Sequence, residues 1–208
     1  PESRVGPGWE AQCGVNHMGH FALTKALLPL IERTPGARVI ALPSTAHKLT
    51  DIRWDDIQFE SGEYDKWQAY GQAKTANALF ANALSRRLAD SGGAAFAVHP
   101  GGIFTPLQRH LPQEEMIAFG WIDENGEPTE LAKAGFKTPE QGSSTTLWAA
   151  TSATLEGKPG VYCEDCDIAA PTDPESPMAR YQGVNEHACS DESAERLWSI
   201  SEALLADA

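Results

Sequence analysis

The chain predicts an α/β fold in which helices wrap a parallel sheet. Three observations carry that expectation. Short apolar runs of strand length alternate with stretches of helical period, the turns between them are short, and each run closes on a Pro or Gly signal. At 208 residues, with 41% hydrophobic and 22% charged positions, the chain has room for one domain with a sizeable core.

Residues 1–12 are rich in Pro, Gly and charge and read as a loop. From about Val15 to Glu32, Met18, Ala22, Ala26, Leu27, Leu30 and Ile31 recur at helical spacing, and Pro35-Gly36 stops that helix. Arg38-Val39-Ile40-Ala41-Leu42 has the length of a buried strand and ends at Pro43-Ser44. A polar stretch from about Thr50 to Lys66 follows. The next helix runs from about Trp67 to Ala89, with Ala73, Ala76, Phe80, Ala83 and Leu84 on one face, and ends at Ser91-Gly92-Gly93. Ala94-Ala95-Phe96-Ala97-Val98 is the second strand, closed by His99-Pro100-Gly101-Gly102. Residues 107–137 look irregular, and a long insert after a strand's carboxyl end is often a binding loop. Met116, Phe119 and Trp121 in it suit either an apolar pocket cover or simple lid packing. Thr138-Pro139-Glu140 opens a helix to about Thr151, and Gly160-Val161-Tyr162-Cys163 is a third strand. A last helix opens at Asp191 and Glu192, with Ala194, Leu197, Trp198, Leu204 and Leu205 inward.

A formal net charge of -13 repels phosphate backbones and anionic lipid, so nucleic acid and membrane surfaces are poor partners. No run of 18 apolar residues and no basic-then-apolar leader appears. Four cysteines are too few for a disulfide scaffold of this length, so the expected compartment is the cytoplasm.

Four groups carry chemistry. Tyr70 and Lys74, at i and i+4, share a helix face with Cβ atoms about 5–6 Å apart. Bringing a phenol from near 10 to about 7 takes about 4 kcal/mol. A cation about 4 Å away at an effective dielectric near 20 supplies about that much. By itself the pair is more often an unrelated Tyr and Lys on a surface helix. Ser44 directly follows the first strand, where ligands sit in open parallel sheets. A hydroxyl there can donate to a substrate oxygen as charge develops, although turn serines are common. Asn16 lies inside a helix, where Asn is mildly unfavourable; it suits a water in a proton relay, or solvent. Pro100-Gly101, with Thr105 beyond, lets backbone approach a ligand, or makes a tight turn and nothing more.

The order and spacing of these groups say more than any one of them. Asn16/Gly19, Ser44, Tyr70/Lys74 and Pro100/Gly101/Thr105 reproduce the pattern of the short-chain dehydrogenase/reductase family, which the chain resembles along nearly its whole length, thinly at 107–137. The stretches VNHMGHFALT, AYGQAKTANALF and VHPGGIFTPL are similar to the branch containing retinol dehydrogenases and the WW-domain oxidoreductase. The resemblance implies a Rossmann-like doubly wound parallel sheet. It implies Tyr70 as acid/base, Lys74 lowering its pKa and binding the nicotinamide ribose, Ser44 orienting the substrate oxygen, and Asn16 anchoring a relay water. Tyr70, Lys74, Pro100, Gly101 and Thr105 would contact NADP or NAD, with NADP slightly favoured. The reaction would pass hydride between that cofactor and an alcohol or carbonyl substrate; homo-oligomerisation stays open.

There are departures from the family pattern. Pro43-Ser44 stands where the branch usually has Ser-Ser, and proline removes a donor and fixes φ. The family's opening strand, its Gly-x-x-x-Gly-x-Gly turn and a later Asn-Asn-Ala-Gly-like turn have no counterpart here. They correspond to about three strand-helix units of about 30 residues each. The expectation is therefore that residues 1–208 are a single carboxyl-terminal portion of the domain. The rival reading is a non-catalytic dehydrogenase-fold fragment or scaffold that lacks cofactor binding. Cys163 and Cys166 have Cys-x-x-Cys spacing, with His187 and Cys189 further on, a set of types that can hold zinc. The resemblance makes that segment a sheet strand and its following loop, so no metal is expected.

Overall fold

In the computed structural model, which describes residues 2–208, the segment expected to be a loop opens with a hairpin. Strands β1 (Arg4–Val5) and β2 (Trp9–Glu10) pair antiparallel, with Gly6 and Gly8 at positive φ in the turn. Strands of two residues are too short to show a period, so composition alone could not reveal them. Helix α1 (Ala11–Cys13) follows at once, and a π turn, Gly14–Met18, joins it to α2 (Gly19–Glu32). The helix thus starts at residue 11 rather than near Val15. Its start is set by the buried Glu10 carboxylate, which accepts from the Gln12 and Cys13 amides at 2.9 and 2.7 Å and from the Tyr64 hydroxyl at 3.0 Å.

The apolar period of this helix contains two stripes. Met18 and Phe21 are buried and Leu28 and Ile31 pack on the core, whereas Leu23, Leu27 and Leu30 are exposed among the described residues.

Strand β3 (Arg38–Ala41) pairs in parallel with β4 (Ala94–His99), reached through α3 (Lys66–Arg87). Past β4, the segment expected to be irregular holds two short helices, α4 (Gln113–Ala118) and α5 (Glu130–Gly135). Helix α6 (Pro139–Thr151) begins at a capping box in which Thr138 and Gln141 satisfy each other's backbone amides. Strand β5 (Tyr162–Glu164) adds in parallel to β4. The chain then turns at Asp165 and Cys166, both at positive φ, into an antiparallel strand the sequence did not reveal, β6 (Asp167–Ile168). Helix α7 (Asp191–Ala206) closes the chain.

The sheet order is β3-β4-β5-β6, and β4 shows how its two faces are covered. Ala95 and Ala97 face one cluster with Phe21, Leu79, Phe80, Leu84 and Trp198, from α2, α3 and α7. Phe96 and Val98 face the other, with Ala149 of α6, Leu155 and Cys163. A strand buried on both faces reads as a continuous apolar run, which is why 94–98 was legible.

Candidate active site

The site grows from the end of β3. The chain leaves the sheet through Leu42 and the buried Pro43, and Ser44 takes extended backbone (φ -158°, ψ 163°) at the start of a 3₁₀ turn, Thr45–Leu49. Ser44 Oγ accepts from the Ala46 amide at 3.2 Å. Helix α3 lies against this turn at Gly71. A Cβ there would sit 2.8 Å from the Ala46 carbonyl oxygen and 3.1 Å from Leu49 Cβ, so only glycine permits this approach. It brings the preceding residue, Tyr70, to Ser44.

Burial raises the Tyr70 phenol above its ordinary value, and the Ser44 side chain acts in the opposite direction. One turn on, Lys74 Nζ donates to the Leu42 carbonyl at 3.0 Å and lies 5.5 Å from the centre of the Tyr70 ring. Asn77 Nδ2 donates to the same carbonyl at 3.1 Å. Burial lowers the Lys74 ammonium to about 8.

Here the structure departs from the electrostatic argument made on Tyr-x-x-x-Lys spacing. The phenol is held up rather than brought down, and the group that lowers it is Ser44. The spacing argument assumed a cation within about 4 Å of the phenol. The ammonium spends one of its donors on the strand-end carbonyl of Leu42.

The other sequence candidates are held by partners of their own. Asn16 sits in the π turn, a feature that often marks functional segments. Its Nδ2 donates to the Gln12 carbonyl and side-chain oxygens at 3.2 and 2.9 Å, so the amide is held within its own helix. Pro100 and Gly101 lie just beyond the carboxyl end of β4. Gly101 has φ +92°, and a Cβ there would lie 2.8 Å from Lys137 Cδ. Lys137, ion-paired to Asp165, thus packs over the turn. Thr105 is exposed and caps a 3₁₀ turn, Pro106–His110, its hydroxyl accepting from the Leu107 amide at 3.2 Å.

The insert reaches the amino end of α3 through an ion pair between Lys66 and Glu115. An aromatic series runs from Tyr70 through Trp67 to Phe119 and Trp121, with ring centres 6.3, 5.1 and 5.1 Å apart. Sequence reasoning found Phe119 and Trp121 but passed over Trp67.

It also passed over His47, which is fully buried three residues after Ser44. His47 Nδ1 lies 2.7 Å from the Ser44 carbonyl oxygen, and its Nε2 accepts from the Asn185 amide at 3.1 Å. A histidine at i+3 from a strand-end serine was the available signal. Cys163 is buried, with its thiol pushed up to about 12, while Cys166 sits exposed in the following turn. Among the described residues, no group of three or more His, Cys, Asp and Glu side chains is placed to hold a metal. None of the described helices is long and apolar enough to cross a membrane.

A mostly parallel sheet covered on both faces, with a serine, a tyrosine and a lysine gathered beyond a strand's carboxyl end, is the arrangement of an open α/β protein, a class in which ligands sit at the strand ends. No family model matches the chain. It is 41% identical over 191 residues to a Streptomyces lividans protein named "Probable oxidoreductase", covering 92% of this chain and 63% of that one. It is 37% identical over 209 residues to the short-chain dehydrogenase/reductase prx1 of Penicillium roqueforti, covering 99% and 58%. Retinol dehydrogenase 12 of Mus musculus is 35% identical over 205 residues, covering 99% and 57%. A crystal structure of an uncharacterized Mycobacterium paratuberculosis protein superposes with a TM-score of 0.66 at 30% identity, covering 98% of this chain and 62% of that one. Over nearly its whole length the chain is similar to proteins of the short-chain dehydrogenase/reductase family, and it spans less than two thirds of the length of these relatives.

Proposed function

We propose that the protein is an NAD(P)-dependent oxidoreductase that interconverts an alcohol and its carbonyl, with Tyr70 moving the proton. The observation that carries this reading is the meeting of Ser44, Tyr70 and Lys74 beyond the end of β3. Relatives named oxidoreductase, short-chain dehydrogenase/reductase and retinol dehydrogenase support it.

Ser44 Oγ accepts one bond from the Ala46 amide, and its own proton, which faces the Tyr70 oxygen, can turn to a substrate oxygen placed beside both. Tyr70 beside it gives its proton to that oxygen as negative charge develops there, and takes one back in the oxidative direction. A phenol raised by burial is a better donor of structure than of protons, so the Ser44 hydroxyl that offsets the shift is part of the acid/base unit. Lys74 makes one bond, to Leu42, and an ammonium has three donors. The two spare donors fit the ribose hydroxyls of a nicotinamide nucleotide. Gly101, bent to positive φ just beyond β4, lets backbone approach the nicotinamide end, with Pro100 and Thr105 flanking it. The cofactor supplies the hydride chemistry when bound. NADP is slightly favoured over NAD on the family resemblance. Asn16 is assigned the relay water. The partner is a small alcohol or carbonyl compound, and the compartment is the cytoplasm.

Tyr70→Phe tests the reading. The ring packs as before while the proton is gone, so kcat for a carbonyl panel should fall at least about a hundredfold, within the usual range of about 10² to 10⁴. Circular dichroism should be unchanged. Near wild-type turnover would sink the assignment.

A further inference from the structure

We propose that His47 is a positioning residue that fixes the Ser44 peptide, and with it the direction of the Ser44 hydroxyl, from behind the active site. The inference rests on the reading of Ser44 as the residue that orients the substrate oxygen.

Two donors from one residue converge on the Ser44 carbonyl. The His47 amide reaches it at 3.0 Å and His47 Nδ1 at 2.7 Å. A carbonyl has two lone pairs, so both are used and the peptide plane after Ser44 cannot rotate without losing both bonds. The tautomer follows from the partners. Nε2 faces the Asn185 amide at 3.1 Å, which can only donate, so Nε2 carries the lone pair and Nδ1 carries the proton. The ring is neutral. A charge there would be fully buried, with Lys48 and His187 adding like charge nearby and His99 also facing it.

His47 is itself held on three sides. His187 Nε2 donates to its carbonyl at 2.8 Å, Thr75 of α3 approaches the same oxygen at 3.3 Å, and the Tyr162 ring of β5 packs at 5.2 Å between centres. The strand-end serine is thereby tied to the segment at 185–187 and to the helix that carries Tyr70 and Lys74. A serine hydroxyl on a mobile turn would spend much of its time misdirected. Misplacement by about 1 Å can cost about a hundredfold in rate.

The two ring nitrogens can be removed separately. Asn places its amide near Nδ1 and keeps a donor for Ser44; Gln places its amide near Nε2 and keeps an acceptor for Asn185. In the protein as its gene encodes it, with NADPH or NADH and a panel of aldehydes, His47→Gln should lower kcat about ten- to a hundredfold with little change in cofactor KM. His47→Asn should recover most of that loss. A second arm repeats His47→Gln in a Ser44→Ala background. If His47 acts through Ser44, the second substitution should cost less than about twofold there.

Equal losses in Asn and Gln, or a full additional loss without Ser44, would overturn the proposal and leave His47 a packing residue. Near wild-type kcat in Ser44→Ala alone would instead overturn the reading of Ser44, which the same data would show separately. If His47→Gln does not fold, His187→Leu, which removes a donor from the His47 carbonyl, is carried through the same two backgrounds with the same criterion.

Discussion

Acid should destabilise this protein well above the carboxylate range, because it buries three neutral histidines. His17, buried in the π turn before α2, has Nε2 2.8 Å from Ser201 Oγ and Nδ1 without a partner. His47 is enclosed as described, and His99 ends β4 with its Nδ1 unpartnered. Burial is the main cause that lowers each of them to about 4. The ordinary value is about 6.5, so between pH 6.5 and 4 the unfolded chain binds protons that the folded one refuses. Stability is therefore full above about 6.5 and is lost progressively as pH falls toward 4. From pH 7 to pH 5 each ring loses about 2 kcal/mol, or about 5–6 kcal/mol for the three, a large part of an ordinary domain's stability. Glu164, whose carboxyl burial raises, opposes some of this loss at the low end. The assay is urea unfolding at half-unit pH intervals. The slope should approach the release of about three protons on folding near pH 5, and His17→Gln should remove about one of them. A flat profile between pH 7 and 5, or a slope unchanged in that variant, would refute the argument.

Other outcomes follow from the site. Lys74→Ala removes a charged donor, so cofactor KM should rise roughly ten- to a hundredfold by steady-state kinetics; an unchanged KM would leave Lys74 a brace for Leu42 alone. Gly71→Ala forces a methyl against the Ala46 carbonyl, so urea unfolding should show a loss of about 1–3 kcal/mol. Because the strain falls between Tyr70 and Ser44, kcat measured under conditions where the variant is folded should drop as well. A fully active, fully stable variant would mean the helix and turn adjust freely.

Part of the architecture was legible because burial on both faces leaves a mark in the sequence. Strands 38–42 and 94–98 and the alanine-rich face of α3 are long enough, and apolar enough, to declare themselves. The hairpin at 4–10 and strand β6 are two residues each and have no period to read. Helix α2 misled in another way: it carries apolar residues on two stripes, and only packing chose Met18 and Phe21 over Leu23, Leu27 and Leu30 as the inward set.

For the site, the sequence by itself determined which residue types stand in which order: a serine after one strand, Tyr-x-x-x-Lys on the next helix, Pro-Gly after the next strand. Tertiary structure decided how they bear on each other. Spacing placed Lys74 beside Tyr70 but could not tell that its ammonium turns to the Leu42 carbonyl while the Ser44 side chain is what lowers the phenol, because that depends on how closely Gly71 lets the helix approach the turn. Nor could it show that His47 is sealed behind Ser44 by residues about 140 positions further along the chain. Periodicity and motif order are local and survive in the sequence; desolvation and hydrogen-bond direction arise only where distant segments exclude water together.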